Sequence, residues 1–268
     1  MSAALPPLAA LVLQSCLWAQ ASKAPPPSFS SDSIVNSGNQ SAASLAPNVI
    51  ATIFGSNLAF STAAVSYQDV VISEAPNTLA GVKVTVGGLP APLYYVSPAQ
   101  INFVIPSGLL PGVADLIVFR EGLASPKVSI NLLDTAPALF LAPGRGSLAA
   151  THADGGVISD DAPARAGEII VVYGTGLGLT EPRQIDGEIP RSAARIARMD
   201  RLRVLLDGEA LPAESVYYAG ITPGYPGLYQ INLRLPEQMI KQDPELLVAL
   251  NDQVSQNELR LRVILTEP

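Results

Sequence analysis

One cysteine and one histidine among 268 residues leave little reactive chemistry to account for. The cysteine is Cys16, and a chain processed beyond it has neither disulfide nor thiolate. The single imidazole, His152, excludes a Cys/His metal cluster, and any Ser–His–Asp triad would have to use it. Ser147 and Asp154 lie near it in sequence, but no Gly-x-Ser-x-Gly elbow occurs. Charge is also scarce: 15% of residues carry one, against about 25% in ordinary soluble domains. The net charge of −7 repels a phosphate backbone and argues against nucleic acid as a partner. The one basic cluster (Arg191, Arg195, Arg198, Arg201, Arg203) reads as a solvated loop or short helix between strands. No apolar run is long enough to span a bilayer.

Turn formers fill the place of the missing charge. With 24 prolines and 21 glycines, the composition fits many short strands joined by tight turns. The clearest strand is Tyr229-Gln-Ile-Asn-Leu-Arg-Leu-Pro236, and it has an earlier twin in Ala99-Gln-Ile-Asn-Phe-Val-Ile-Pro106. Each alternates with period two and stops at a proline, which cannot continue a ladder. Ile101, Phe103 and Ile105, and likewise Ile231, Leu233 and Leu235, are expected to face a core, with Gln and Asn on the opposite face.

The surrounding runs repeat in the same order. Val49–Phe54, Val82–Val86 closing at Gly87-Gly88, Leu93–Val96, Leu116–Phe119 and Val128–Leu132 make the first set, with Ile34–Asn36 as a short edge strand. Ile169–Tyr173, Leu202–Leu206 closing at Asp207-Gly208, Val216–Tyr218, Leu246–Leu250 and Leu259–Leu265 make the second. Insertions distinguish the second copy: Leu179–Asp200 and the Pro/Gly-rich Ala219–Leu228. Ala149–Ile158 reads as a small hairpin at the joint, turning at Asp154-Gly155. The expectation is an all-β chain of tandem immunoglobulin-like sandwiches over 34–142 and 143–268, each with its own core.

Ahead of them, Leu5–Ala19 is an apolar run ending in Ala19-Gln20-Ala21, the pattern of a secretory signal peptide occupying 1–21. Pro6 and Pro7 break the run, and it is short for a membrane span. Cleavage after Ala21 would remove Cys16, whose Leu13-Gln-Ser-Cys16 setting is a poor acylation site. Residues 22–33 then read as an extended proline-rich linker.

Ile53-Phe-Gly55-Ser-Asn-Leu58, Val84-Thr-Val86-Gly-Gly88 and Ile101-Asn-Phe-Val-Ile-Pro106 together resemble the IPT/TIG-like immunoglobulin fold. The two-copy arrangement resembles the Solibacter-type C-terminal domain family, through Ala91–Asn102, Pro163-Ala-Arg165, Tyr173–Gly178 and Tyr218–Asn232. Asn48 and Ala166 depart from its pattern, standing where it usually has Gly and Pro. The resemblance implies a secreted protein of uncharacterised function and carries no catalytic residues.

Tyr173-Gly-Thr-Gly-Leu-Gly178 imitates a dinucleotide-binding loop, which needs a following helix to hold a pyrophosphate. Leu179-Thr-Glu-Pro182 is no helix start, so the motif reads as a turn and no cofactor is expected. Asp154, Asp160 and Asp161 lack the ligand spacing of a calcium loop, and no metal is expected. Glu168, Glu181, Asp186 and Glu188 are too scattered to mark a glycosidase pair. An enzyme would need an acidic hollow near His152 and Glu168, so a non-catalytic binding or structural module is the leading expectation.

The tyrosines are the most suggestive set. Of each adjacent pair, Tyr94/Tyr95 and Tyr217/Tyr218, one is expected in a core and the other on a sheet face. Tyr217, Tyr218, Tyr225 and Tyr229 are the candidate ligand contacts, stacking on sugar faces or anchoring another surface protein. Tyr225 stands out because it sits in the inserted loop, where function tends to concentrate.

Overall fold

Alternating side chains pair into sheets where both neighbours bury the same face. A computed structural model describes residues 24–65, 74–142, 147–239 and 241–265. The proposed signal peptide and Cys16 lie outside the described residues. Each half is an immunoglobulin-like sandwich of antiparallel sheets, and the architecture is all-β. In the first half, one sheet runs Ile34–Asn36, Ile50–Phe54, Gln100–Val104, Leu93–Val96, Ala63–Ala64. Facing it is Val128–Leu132, Gly112–Arg120, Val82–Val86, Leu89–Ala91. In the second half, Ile169–Thr175, Tyr229–Arg234 and Val216–Ile221 repeat the central order of the first sheet. Leu202–Leu206 and Leu246–Leu250 form the centre of the opposing one.

Both Gln-Ile-Asn strands place their apolar residues as the alternation requires. Ile101, Phe103 and Ile105, and Ile231, Leu233 and Leu235, are all buried, in separate clusters for the two halves. Side chains of this size stabilise the fold by roughly 1.5–3 kcal/mol each when fully buried. Asn48 lies in the left-handed region at φ 64°, a position that favours glycine but that asparagine also adopts.

Several expectations change. The described part of 22–33 is docked rather than an extended linker. Ser28 exchanges backbone hydrogen bonds with Ser56, and Phe29 packs on the first core. Arg120, 2% exposed, donates to the carbonyl oxygens of Asn57 at 2.5 Å and Pro25 at 2.7 Å and lies over the Phe60 ring. The boundary between the cores falls earlier than 142. Ala136 belongs to the first core, whereas Ala138–Leu139 pairs with Gly174–Thr175 and Leu139 belongs to the second. Leu259–Leu265 is not one strand. Arg260 forms an isolated antiparallel bridge with Glu245, the Asp243 carboxylate then takes the Val263 N–H and the Arg262 guanidinium, and Val263–Ile264 pairs parallel to Ala164–Arg165.

The tyrosine pairs also behave differently from expectation, and for the same reason in both halves. A β-bulge interrupts the register between Leu93 and Tyr95, and another between Val216 and Tyr218. The extra residue, Tyr94 or Tyr217, breaks the alternation, so neither tyrosine of either pair enters a core.

The insertions form much of the joint between the sandwiches. Leu179–Asp200 adds Thr180–Glu181 and Ala194–Ile196 to the edge of the second sheet. Beyond them it reaches the first half, where Asp186 accepts the N–H groups of Ser107 at 2.5 Å and Gly108 at 3.0 Å. Ala219–Leu228 presses Gly227 against Ile50, the Asn48 carbonyl and Val104. Buried Thr175 links all three parts: its hydroxyl accepts Ile50 N–H at 2.9 Å and donates to Gly227 O at 2.8 Å.

Candidate functional site

The outer face of the first Gln-Ile-Asn sheet becomes the floor of a cleft at this joint. Alternation turns Ile50, Thr52 and Phe54 outward from one strand and Gln100 and Asn102 from its neighbour. Phe140 from the joint, with Tyr225 and Leu228 from the inserted loop, completes the walls. The open cleft has a volume of about 440 Å³, within the range of small-molecule sites. Its described lining carries no charged side chain. Phe54 and Tyr225 are 41% and 45% exposed, so both offer ring surface to solvent.

Hydrogen bonds fix the polar groups of the floor. Gln100 Nε2 donates to Asn102 Oδ1 at 2.8 Å, and Thr52 Oγ1 donates to the same oxygen at 3.2 Å. Ser37 and Thr52 hydroxyls lie 2.8 Å apart. Tyr94, the bulge residue, donates from its hydroxyl to Pro226 O at 2.6 Å and ties the floor to the inserted loop. Burial, with Tyr225 nearby, holds the Tyr94 phenol protonated well above its ordinary range. Such a surface presents flat apolar rings beside pre-positioned amides, suited to an uncharged ligand with hydroxyl groups.

The candidate tyrosines do not gather in one place. Tyr225 lines the cleft. Tyr217 and Tyr218 lie on the second sheet, where Tyr217 accepts Arg234 Nε at 3.1 Å. Tyr218 OH lies 2.7 Å from Ile221 O and 3.1 Å from Ala194 O. Tyr229 is a correction: it is fully buried, its hydroxyl donates to Gly178 O, and no ligand can reach it. Its sequence position is in phase with core-facing Ile231 and Leu233, which is the physical reason. Phe54, Gln100, Asn102 and Phe140 were not among the sequence candidates. For the first three the signal was present, since they sit out of phase with the core positions of their strands.

Gly174-Thr175-Gly176 is part of a strand and its end, not the mouth of a helix. Its glycines let the joint segment cross at close range: a Cβ on Gly174 would stand 2.6 Å from Ala138 O.

His152 and Glu168 form a clasp within the second sandwich. Nδ1 pairs with Glu168 Oε1, Nε2 lies 3.2 Å from Ala162 O, and Glu168 Oε2 accepts the Arg165 N–H at 2.8 Å. Asp154 caps its own hairpin through Gly156 N–H, and Asp160 pairs with Arg262 at 2.6 Å. Among the described residues no cluster of three or more potential metal ligands occurs. The Glu168 hydrogen bond raises the His152 pKa above its ordinary value. A folded value above the unfolded one stabilises the fold fully below about 6.5, and this is lost as pH rises through the folded value. Thermal midpoints should therefore fall across that window, and His152→Gln should flatten the fall. An unchanged slope in the variant would assign the pH dependence elsewhere.

No family model matches the sequence, and no curated protein matches it. Solved structures give distant likenesses of repeated domains. A Bacteroides ovatus mixed-linkage glucan utilization locus protein, SGBP-B, in complex with a mixed-linkage heptasaccharide, matches at TM-score 0.31 and 11% identity. The match covers 84% of this chain, which spans only 44% of that one. Domains 5–6 of the S-layer protein SbsC match at TM-score 0.27 and 10% identity, covering 90% of this chain and all of that one. Titin domains I67–I69 match at 0.22 and 11%, covering 69% of this chain and 55% of that. Scores at this level say nothing about function.

Proposed function

We propose that the protein is a secreted, non-catalytic module that binds an uncharged polysaccharide in the cleft between its sandwiches. The observation that carries this reading is the cleft lining, where Phe54, Phe140 and Tyr225 stand beside Gln100, Asn102 and Thr52 with no charged side chain among the described residues. Sugars offer apolar ring faces and hydroxyl edges, and such a lining answers both. The joint supports the reading: a wall pinned by Thr175 and Tyr94 loses little freedom on binding, which favours affinity. Export is supported by the Leu5–Ala21 pattern and by the resemblance to Solibacter-type domains.

The test is affinity electrophoresis of the mature chain in gels containing cellulose derivatives, xylan, mannan or laminarin. At least one polymer should retard the protein. Tyr225→Ala should weaken that retardation ~10-fold or more, the usual cost of losing a central aromatic contact. No retardation by any polymer, or retardation indifferent to Tyr225→Ala, would end the reading. A release of reducing ends from the retarding polymer would contradict its non-catalytic part.

A further inference from the structure

The second sandwich carries the same constellation as the outer face of the first sheet, which supplies the cleft floor, at the same register. Phe54 stands opposite Gln100 in the first sheet, and Tyr173 stands opposite Gln230 in the second. Tyr95 stands opposite Asn102, and Tyr218 opposite Asn232. The amides are locked in the same way: Gln230 Nε2 donates to Asn232 Oδ1 at 3.0 Å, as Gln100 does to Asn102 at 2.8 Å. Among the described residues this leaves the Gln Oε1 and the Asn Nδ2 of each copy to meet a hydroxyl. Core packing constrains only the inward side chains, so it does not require aromatic rings to flank an amide pair on both outer faces.

We infer that the outer face of the second sandwich is a second binding face for the same class of uncharged polysaccharide, making the chain bivalent. This rests on the reading of the cleft as a polysaccharide site. Tyr218 is built as a platform. Its ring crosses Gly220 so closely that a Cβ there would stand 2.6 Å from the hydroxyl and 2.8 Å from Cζ. The hydroxyl bonds at Ile221 and Ala194 pin the ring across the sheet. Tyr173, its hydroxyl 3.4 Å from Thr151 Oγ1, forms the other flank. The two faces differ at their rims. The cleft is walled by the inserted loop, whereas on the second face the Arg195 guanidinium lies over the Tyr218 ring, 5.7 Å from its centre, and Arg234 donates to Tyr217 beside it. Two weak sites on one chain, when both are engaged, hold a polymer far more tightly than either holds a short oligomer, by ~10²-fold or more.

Titration calorimetry with cellohexaose, xylohexaose, mannohexaose and laminarihexaose on the mature chain tests this through stoichiometry. Two molecules of the bound hexaose per chain are expected. Tyr225→Ala should leave one, and Tyr173→Ala should remove the other, with Gln230→Ala repeating that loss should Tyr173→Ala fail to fold. One molecule per chain, abolished by Tyr225→Ala, would overturn the second face and leave the cleft standing. Two molecules that survive both second-face variants would also overturn it. No uptake of any hexaose would sink both readings together.

Discussion

Gly176→Ala is expected to be among the most damaging methyl groups that can be added to this chain, costing more than ~4 kcal/mol. The residue sits at φ 78°, which already disfavours a side chain. The larger cause is contact with backbone. A Cβ at 176 would lie 1.9 Å from Ala136 O and 2.5 Å from Ala136 C. Neither atom can rotate away, because Ala136 is fully buried in the first core and donates its N–H to Gly176 O at 2.9 Å. Relief requires the joint to move, and two residues later the joint is committed to pairing with Gly174–Thr175. Gly208→Ala is the control: φ there is 86°, but no atom lies within 4 Å of the added carbon. It should cost only the ~1–2 kcal/mol of the left-handed conformation. Denaturant melts of both variants separate strain from collision, and equal midpoints would refute the collision.

The contrast between these glycines also marks what sequence reading can reach. Gly208 is legible as a hairpin turn because it follows an alternating strand. Gly176 reads as a turn in a motif that imitates a dinucleotide-binding loop, but nothing in its neighbourhood names Ala136, forty residues earlier, as the residue it must clear. The strands were legible for a simple reason: period-two alternation records which face is dry. The same rule places Gln100, Asn102 and Phe54 on one outward face and puts Tyr229 in the core with Ile231. What it cannot record is a bulge. Tyr94 and Tyr217 each slip the count by one residue, so the expected inward tyrosine of each pair turns outward. The inserted loops carry no period at all, and their task is long-range. Asp186 meets backbone N–H groups of the first sandwich and Gly227 packs against Ile50, Asn48 and Val104, partners that no local pattern announces.

Thr175→Val should uncouple the halves while leaving each of them folded. Valine keeps the shape and the β-branched preference of threonine, so the strand and its packing tolerate it. It deletes the hydroxyl, and with it the partners of Ile50 N–H and Gly227 O. Leaving those two groups unsatisfied costs about 1–3 kcal/mol each, a sum of ~2–6 kcal/mol concentrated on the interface. The expected calorimetric scan has two transitions in place of one, because each sandwich keeps its own core. Binding should suffer as well. The cleft floor is Ile50, Thr52, Gln100 and Asn102 from the first sandwich, but Tyr225 and Leu228 belong to the loop that Thr175 anchors through Gly227. A wall free to swing must be ordered by the ligand, so affinity for the retarding polymer should fall ~10-fold although no contact residue has changed. A variant that melts in one transition and binds as before would show that Asp186 and Tyr94 hold the joint without it. The opposite result would make the hydroxyl of Thr175, placed between two glycines, the atom on which the geometry of the site depends.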